Sequence, residues 1–200
     1  MTKWLKSSPL YLLVLLTTSF SFAANIEAGK SKANTICAGC HGANGNSANP
    51  TWPKLAGQHA EYLNKQLHDF KSGARKDPMM QGQAAALSAE DIDNVSAYFA
   101  TQSMSKGIAD NLNGEQLYRS GNAQTGVVAC AACHSPNGEG NALAKFPRLS
   151  NQHAPYLEKA LKDFRAGKRT NDHNKMMQGV AKNLTDQEIK DVAQYIQGLN

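Results

Sequence analysis

The chain has little with which to build a conventional core, and each shortage narrows what it can be. Only 7% of its 200 residues are aromatic, and cysteine occurs four times. All four cysteines sit in two Cys-x-x-Cys pairs, Cys37/Cys40 and Cys130/Cys133. Disulfides across such tight loops would restrain little chain and would leave the histidine after each pair unexplained, so a disulfide framework is excluded. No segment alternates apolar and polar residues for long, which excludes a half-buried sheet. No basic stripe interleaved with aromatics is present, so no nucleic-acid partner is expected. No apolar run approaches the ~20 residues of a spanning helix.

The longest apolar run, Leu10 to Leu16, belongs to the first residues, which read as a targeting segment. Lys3 and Lys6 precede it, Thr17, Thr18 and Ser19 follow at once, and Ser21, Ala23 and Ala24 offer small residues for cleavage after Ala23 or Ala24. Residues 1–24 are therefore expected to be a secretory signal peptide, with the mature protein in the periplasm. Its removal takes away two of the 21 basic residues and none of the 16 acidic ones, so the formal charge of the mature chain falls from +5 to +3.

What the chain does have, it has twice. Cys37-Ala38-Gly39-Cys40-His41 is echoed 93 positions later by Cys130-Ala131-Ala132-Cys133-His134. Trp52-Pro-Lys-Leu-Ala-Gly-Gln-His59 is echoed by Phe146-Pro-Arg-Leu-Ser-Asn-Gln-His153 at an offset of 94, and Met79-Met80-Gln81-Gly82 by Met176-Met177-Gln178-Gly179 at 97. A repeat with two small length changes is a duplicated domain. The polar stretch from Thr101 to Asn111 separates the copies, giving domains at 25–103 and 113–200 and a linker at 104–112.

Each copy is predicted to hold three helical pieces. A first helix precedes the cysteines, over Glu27–Thr35 and Asn113–Ser120. A middle helix carries Leu63, Leu67 and Phe70, or Leu157, Leu161 and Phe164, on one face and stops at Gly73 or Gly167. A last helix starts at Ser88 or Thr185 with an acid three residues on, Asp91 or Glu188; the second is a full capping box and the first a weaker version with a shorter acid. The fold class is all-α.

Cys-x-x-Cys-His is the attachment signature of haem c. The two thiols add to the porphyrin vinyl groups, and the adjacent histidine is placed to ligate iron. Two covalent haems would also supply the flat apolar surface the chain lacks, and would stabilise domains of about 80 residues, which are small for an independent core. With four propionates and two ferric or ferrous irons, the mature charge of +3 becomes about +1 or −1. The alternatives are weaker: a thioredoxin-like pair wants a βαβ context, and a zinc site wants further Cys or His at ligand spacing.

The sixth iron ligand decides between chemistry and electron carriage. Met79, Met80, Met176 and Met177 are the candidates, and the residues themselves leave open which of each pair binds. His68 and His173 have no equivalent in the other copy and read as surface residues. His59 and His153 correspond, but each stands beside the start of a middle helix.

These motifs resemble those of the dihaem cytochromes c4 of bacterial periplasms, over essentially the whole mature chain. The resemblance rests on Cys-Ala-Gly-Cys-His-Gly with Asn44-Gly-Asn-Ser47, on Trp52-Pro-Lys-Leu-Ala-Gly-Gln58, and on Asn137-Gly-Glu-Gly-Asn141 with Phe146-Pro-Arg-Leu149. It implies two tandem cytochrome c-like domains related by a pseudo-twofold axis, with haem propionate edges meeting between them. It also implies Met80 and Met177 as ligands opposite His41 and His134, and the carbonyls of Pro53 and Pro147 as anchors for the two histidines. Ser150-Asn151 stands in place of Ala56-Gly57, a departure that leaves the ligands alone. The function implied is an electron carrier, not an enzyme, between a respiratory donor complex and a terminal oxidase, with any membrane association peripheral. The competing expectations are a dihaem peroxidase or thiosulfate-oxidising enzyme, which would need one displaceable ligand, and the cytochrome subunit of a dehydrogenase.

Overall fold

The computed structural model describes residues 23–108 and 111–200. The expected signal peptide lies outside the described residues except for Ala23 and Ala24. The regular structure of the described residues is helical; their only β pairings are two isolated bridges, Asn122–Val127 and Asn141–Phe146. No helix among them is long and apolar enough to cross a membrane.

The first half contains α1 (Ile26–Ile36), α2 (Ala38–His41), α3 (Ala60–Ser72), α4 (Pro78–Ala85) and α5 (Ala89–Ala100). The second half repeats the order with α6 (Leu112–Ser120), α7 (Ala131–His134), α8 (Ala154–Arg165), α9 (Met176–Ala181) and α10 (Asp186–Gly198). In each half the first helix crosses the last, and a glycine makes the crossing close. A Cβ on Gly29 would run into the carbonyl oxygen of Asn94, and one on Gly114 into that of Asp191. Glycine weakens a helix interior; here it lets two backbones touch. The helix starts are tied to the same crossing. Asn25 caps α1 by accepting from Ala28 N and donates its own N–H to Asn94 Oδ1. Asn111 caps α6 and reaches Asp191 and Gln194 on α10 through its side-chain amide.

The predicted stripes are the buried ones. Leu63 and Phe70 of α3, and Leu157 and Phe164 of α8, are buried, with Leu67 and Leu161 half-buried against the same cores. Ile92, Val95 and Phe99 of α5 and Ile189, Val192 and Ile196 of α10 are almost fully enclosed. Burial of each such side chain contributes about 1.5–3 kcal/mol. Gly73 ends α3 in the left-handed region at φ 78°. α8 stops slightly sooner, with Ala166 as its cap and Gly167 at φ 66° just beyond. Both capping boxes are complete, including that of Ser88 with the shorter acid: Ser88 N donates to Asp91 Oδ2 and Asp91 N to Ser88 Oγ.

The structure adds two α-helices per half to the expected three. α2 and α7 are single turns made by the Cys-x-x-Cys-His motifs themselves. α4 and α9 carry the methionine pairs. Asp77 caps α4 by accepting from Met80 N, with Pro78 in the first turn. The three extra residues of the second copy form a 3-10 turn, His173–Lys175, whose Asn174 and Lys175 both have positive φ. Asp172, ahead of this turn, takes over the cap by accepting from Gln178 N and Nε2.

The halves are clasped by two glutamines in equivalent positions. Gln58 donates through Nε2 to Arg148 O at 2.9 Å and accepts from Arg148 N at 2.8 Å. Gln152 donates through Nε2 to Lys54 O at 2.9 Å and accepts from Lys54 N at 2.8 Å. His59 and His153 continue the pattern, their Nε2 atoms meeting Glu139 O and Ser47 O of the opposite half. Buried Lys54 adds an asymmetric strut, donating through Nζ to Ser105 O and Asn151 O.

Candidate haem sites

In each motif the single helical turn, closed by His41 N to Cys37 O and His134 N to Cys130 O at 2.9 Å, brings the first cysteine and the histidine to the same side. The imidazoles turn inward: His41 is 7% and His134 6% exposed. His41 Nδ1 lies 2.8 Å from Pro53 O and His134 Nδ1 3.0 Å from Pro147 O. A carbonyl oxygen only accepts, so Nδ1 carries the proton and the lone pair is left on Nε2. Nε2 makes no hydrogen bond among the described residues. Burial holds both imidazole pKa values below the usual histidine range, against the opposing pull of the carbonyl bond. Each half therefore presents a buried, neutral, oriented imidazole with one free ligating nitrogen.

Burial pushes the Cys37 and Cys130 thiols up to about 11. A nucleophilic Cys-x-x-Cys pair has the opposite property, a depressed pKa. Among the described residues no three His, Cys, Asp or Glu side chains gather as a metal site made of those residues would need.

The methionine pairs divide in the same sense in both halves. Met79 is 55% and Met176 38% exposed, whereas Met80 and Met177 are half-buried, and Met177 packs on the second core. The short helices holding them lie against the middle helices, α4 on α3 and α9 on α8. His68 and His173 are exposed. The residues present thus fit a haem in each half: paired thiols and a free imidazole nitrogen on one turn, and a thioether on a separate short helix.

The backbone after each histidine must take a conformation natural to glycine. Gly42 has φ 77° and ψ 152°, and Ser135, its counterpart, φ 69° and ψ 153°. A side chain there costs about 1–3 kcal/mol, partly offset by the Ser135 Oγ bond to Gly140 O. Ser135→Gly is expected to stabilise the holoprotein by about 1 kcal/mol, read from the denaturant midpoint; a loss of stability would show that the hydroxyl bond outweighs the strain.

The loop after each motif is held by a tyrosine drawn from a different helix in each half. Tyr98 of α5 donates to Ala43 O at 2.9 Å, and Tyr118 of α6 to Ser135 O at 2.6 Å. Sequence repetition hides this exchange, because Tyr98 matches Tyr195 while Tyr118 stands where the first half has Ala33, both fully enclosed.

Two helical halves, each built on a Cys-x-x-Cys-His turn with its imidazole anchored and a methionine helix beside it, define a c-type cytochrome with two haem sites. The cytochrome c family model matches residues 26–103 and 112–200. Cytochrome c4 of Thiocapsa roseopersicina is 52% identical over 178 residues, covering 87% of this chain and 92% of that protein. The crystal structure of reduced recombinant cytochrome c4 from Pseudomonas stutzeri superimposes with a TM-score of 0.86 at 46% identity, covering 89% of this chain and all of that one. The thiosulfate dehydrogenase electron acceptor of Stutzerimonas stutzeri is more distant, 39% identical over 84% of this chain and 81% of its own length. The chain belongs to the cytochrome c4 family. It is a dihaem electron carrier with covalently attached haem c, exchanging electrons with other redox proteins, and not an enzyme.

Proposed function

We propose that the protein is exported by removal of residues 1–24 and works in the periplasm as a shuttle from a respiratory donor complex to a terminal oxidase. Domains 25–103 and 113–200, joined by 104–112, each hold one haem. Cys37 and Cys40, and Cys130 and Cys133, form the thioether links. His41 and Met80 ligate one iron; His134 and Met177 ligate the other.

The observation that carries this reading is the matched geometry of the two halves. Each has an imidazole anchored by Pro53 O or Pro147 O and a methionine that is more enclosed than its neighbour. When bound, each haem supplies a one-electron ferrous/ferric couple. The protein's part would be to supply both iron ligands in each half. The proline carbonyl fixes the histidine tautomer and ring orientation, the half-buried thioether would be the second ligand, and the surrounding apolar side chains would keep water away. A site closed in this way changes charge without changing ligands, which suits electron transfer and denies a substrate access. Contact with the membrane, where the oxidase would lie, is then peripheral.

The far-red absorption of the oxidised protein tests the ligand set. A methionine-to-iron charge-transfer band of two-haem intensity is expected; a half-intensity band with a high-spin signal would mean that one site is open, as in a peroxidase. Cell fractionation with determination of the mature N-terminus tests export. Reoxidation of the ferrous protein by cyanide-sensitive membranes tests the oxidase direction. A second reading of the donor draws support from the 39% identical relative named as a thiosulfate dehydrogenase electron acceptor: electrons would arrive from a dehydrogenase of that kind, which rapid mixing of the ferric protein with such an enzyme and its substrate would reveal.

A further inference from the structure

The two halves share a fold but not a charge. Residues 25–103 carry seven Lys and Arg against seven Asp and Glu, while residues 113–200 carry eleven against eight. Lys106 and Asp110 cancel between them, so the whole surplus of +3 lies in the second half. The difference is sharpest on the methionine helices. In α9, Met177 and buried Ala181 stand four residues apart and mark the inner side. Gly179 lies on the opposite side, three residues from Met176 and from Lys182 and four from Lys175, and all four residues are exposed. Lys175 and Lys182 are the two caps of the helix. The equivalent positions of α4, each 97 earlier, are Pro78, Met79, Gly82 and Ala85, also exposed. One side of each short helix is thus bare. In the first half that side is uncharged; in the second, the same apolar centre has a lysine at either end.

Local rules do not explain this arrangement. Lys175 has φ 57° and Asn174 before it φ 49°, two successive residues with side chains in the region natural to glycine. A cation at the start of a helix also opposes its dipole. The first half starts the equivalent helix with Asp77 and Pro78, which suit those positions. Glycine weakens a helix interior, yet a Cβ on Gly82 or Gly179 would meet nothing within 4 Å. The polypeptide itself needs neither glycine, and both keep the helix thin beside an exposed methionine. Among the described residues Lys175 and Lys182 belong to no ion pair. The acids nearest to them in sequence are engaged elsewhere, Asp172 by Gln178 and Asp186 by Arg165. An apolar strip between two lysines complements a surface that carries carboxylates around an apolar centre.

We propose that this side of α9, formed by Lys175, Met176, Gly179 and Lys182, is the docking surface for an acidic redox protein. The proposal rests on the two-haem reading and adds to it the partner's chemistry and its place of contact. A partner seated there is separated from the Met177 side by one helix, about 10 Å thick, and by less where Gly179 removes the side chain. One electron then moves between the partner and the second haem, the partner being oxidised as ferric iron is reduced, or the reverse. The uncharged side of α4 gives the first half no equivalent hold on such a partner.

Rapid-mixing reduction of the ferric holoprotein by reduced flavodoxin, used as an acidic probe, tests this. The bimolecular rate constant should fall as salt is raised. Lys175→Glu and Lys182→Glu together are expected to slow the reaction at low salt about tenfold and to remove most of its salt dependence. Lys30→Glu with Lys190→Glu changes the net charge by the same amount away from this surface, and should slow the reaction less than about twofold. Gly179→Leu should slow transfer about threefold and keep the salt dependence, because the added side chain meets nothing in the protein and only holds the partner away. A rate indifferent to salt, or to the paired α9 substitutions, would overturn the proposal. An equal loss in the Lys30 and Lys190 variant would also overturn it, by showing that net charge governs the encounter. Absence of the methionine-to-iron band from the wild type would defeat the ligand assignment instead, and the rates would still decide where the partner docks.

Discussion

Met80→Ala and Met177→Ala are each expected to remove about half of the methionine-to-iron absorption of the oxidised protein and to lower the potential of the haem in the same half. The thioether is a soft ligand that favours ferrous iron, so its loss stabilises the ferric state and opens the site to water or exogenous ligands. Met79→Ala and Met176→Ala should leave the band intact, because those side chains are 55% and 38% exposed. The structural cost of the ligand variants is modest, since Met80 and Met177 are only half-buried. Their spectra can therefore be read on folded protein. If Met79→Ala removes the band instead, the ligand is the other member of the pair, and the Asp77 cap that fixes Met80 N serves only to start the helix.

Gln58→Leu and Gln152→Leu are expected to split the molecule's cooperativity. Each substitution leaves an N–H and a C=O of the opposite half without a partner, part-buried at Arg148 and buried at Lys54. An orphaned buried group costs about 1–3 kcal/mol, so Gln152→Leu should lose about 2–6 kcal/mol of the coupling between halves and Gln58→Leu less. Calorimetry of the wild type should show one transition. The double variant should show two, with the haem bands of the halves lost at different temperatures. A wild type that already melts in two steps, or single variants that cost nothing, would mean that the seam is held elsewhere.

The parts of the fold legible in the sequence are those that local chemistry dictates. Capping residues Ser88 and Thr185, the apolar stripes of α3, α5, α8 and α10, and the glycine stops each express a rule that operates within a few residues. The expectation of three helices per copy fell short at α4 and α9 because these helices are 8 and 6 residues long and bury little beyond Ala84 and Ala181. They have no stripe to see; proline and aspartate at the first, and an inserted turn at the second, define them. The histidines and cysteines of the sites were evident from spacing alone. The role of Pro53 and Pro147 came only through family resemblance, since a carbonyl leaves no mark in a sequence.

The seam was not legible. Gln58, Gln152, His59 and His153 look like ordinary polar residues at helix starts. Duplication was the available signal: polar residues repeated at a fixed offset, with no local task, are candidates for a contact between the copies.

That contact has the form of a twofold dimer. Gln58 does to Arg148 what Gln152 does to Lys54, which is the self-complementary arrangement by which two identical subunits associate. Both glutamines grip main-chain atoms, so the side chains at 54 and 148 were free to diverge into lysine and arginine without loosening the hold. The tandem protein is in this sense a homodimer on one chain. Its linker makes the pairing intramolecular, so assembly no longer depends on protein concentration, and it allows the two halves to acquire different redox properties, which identical subunits encoded by one gene could not do.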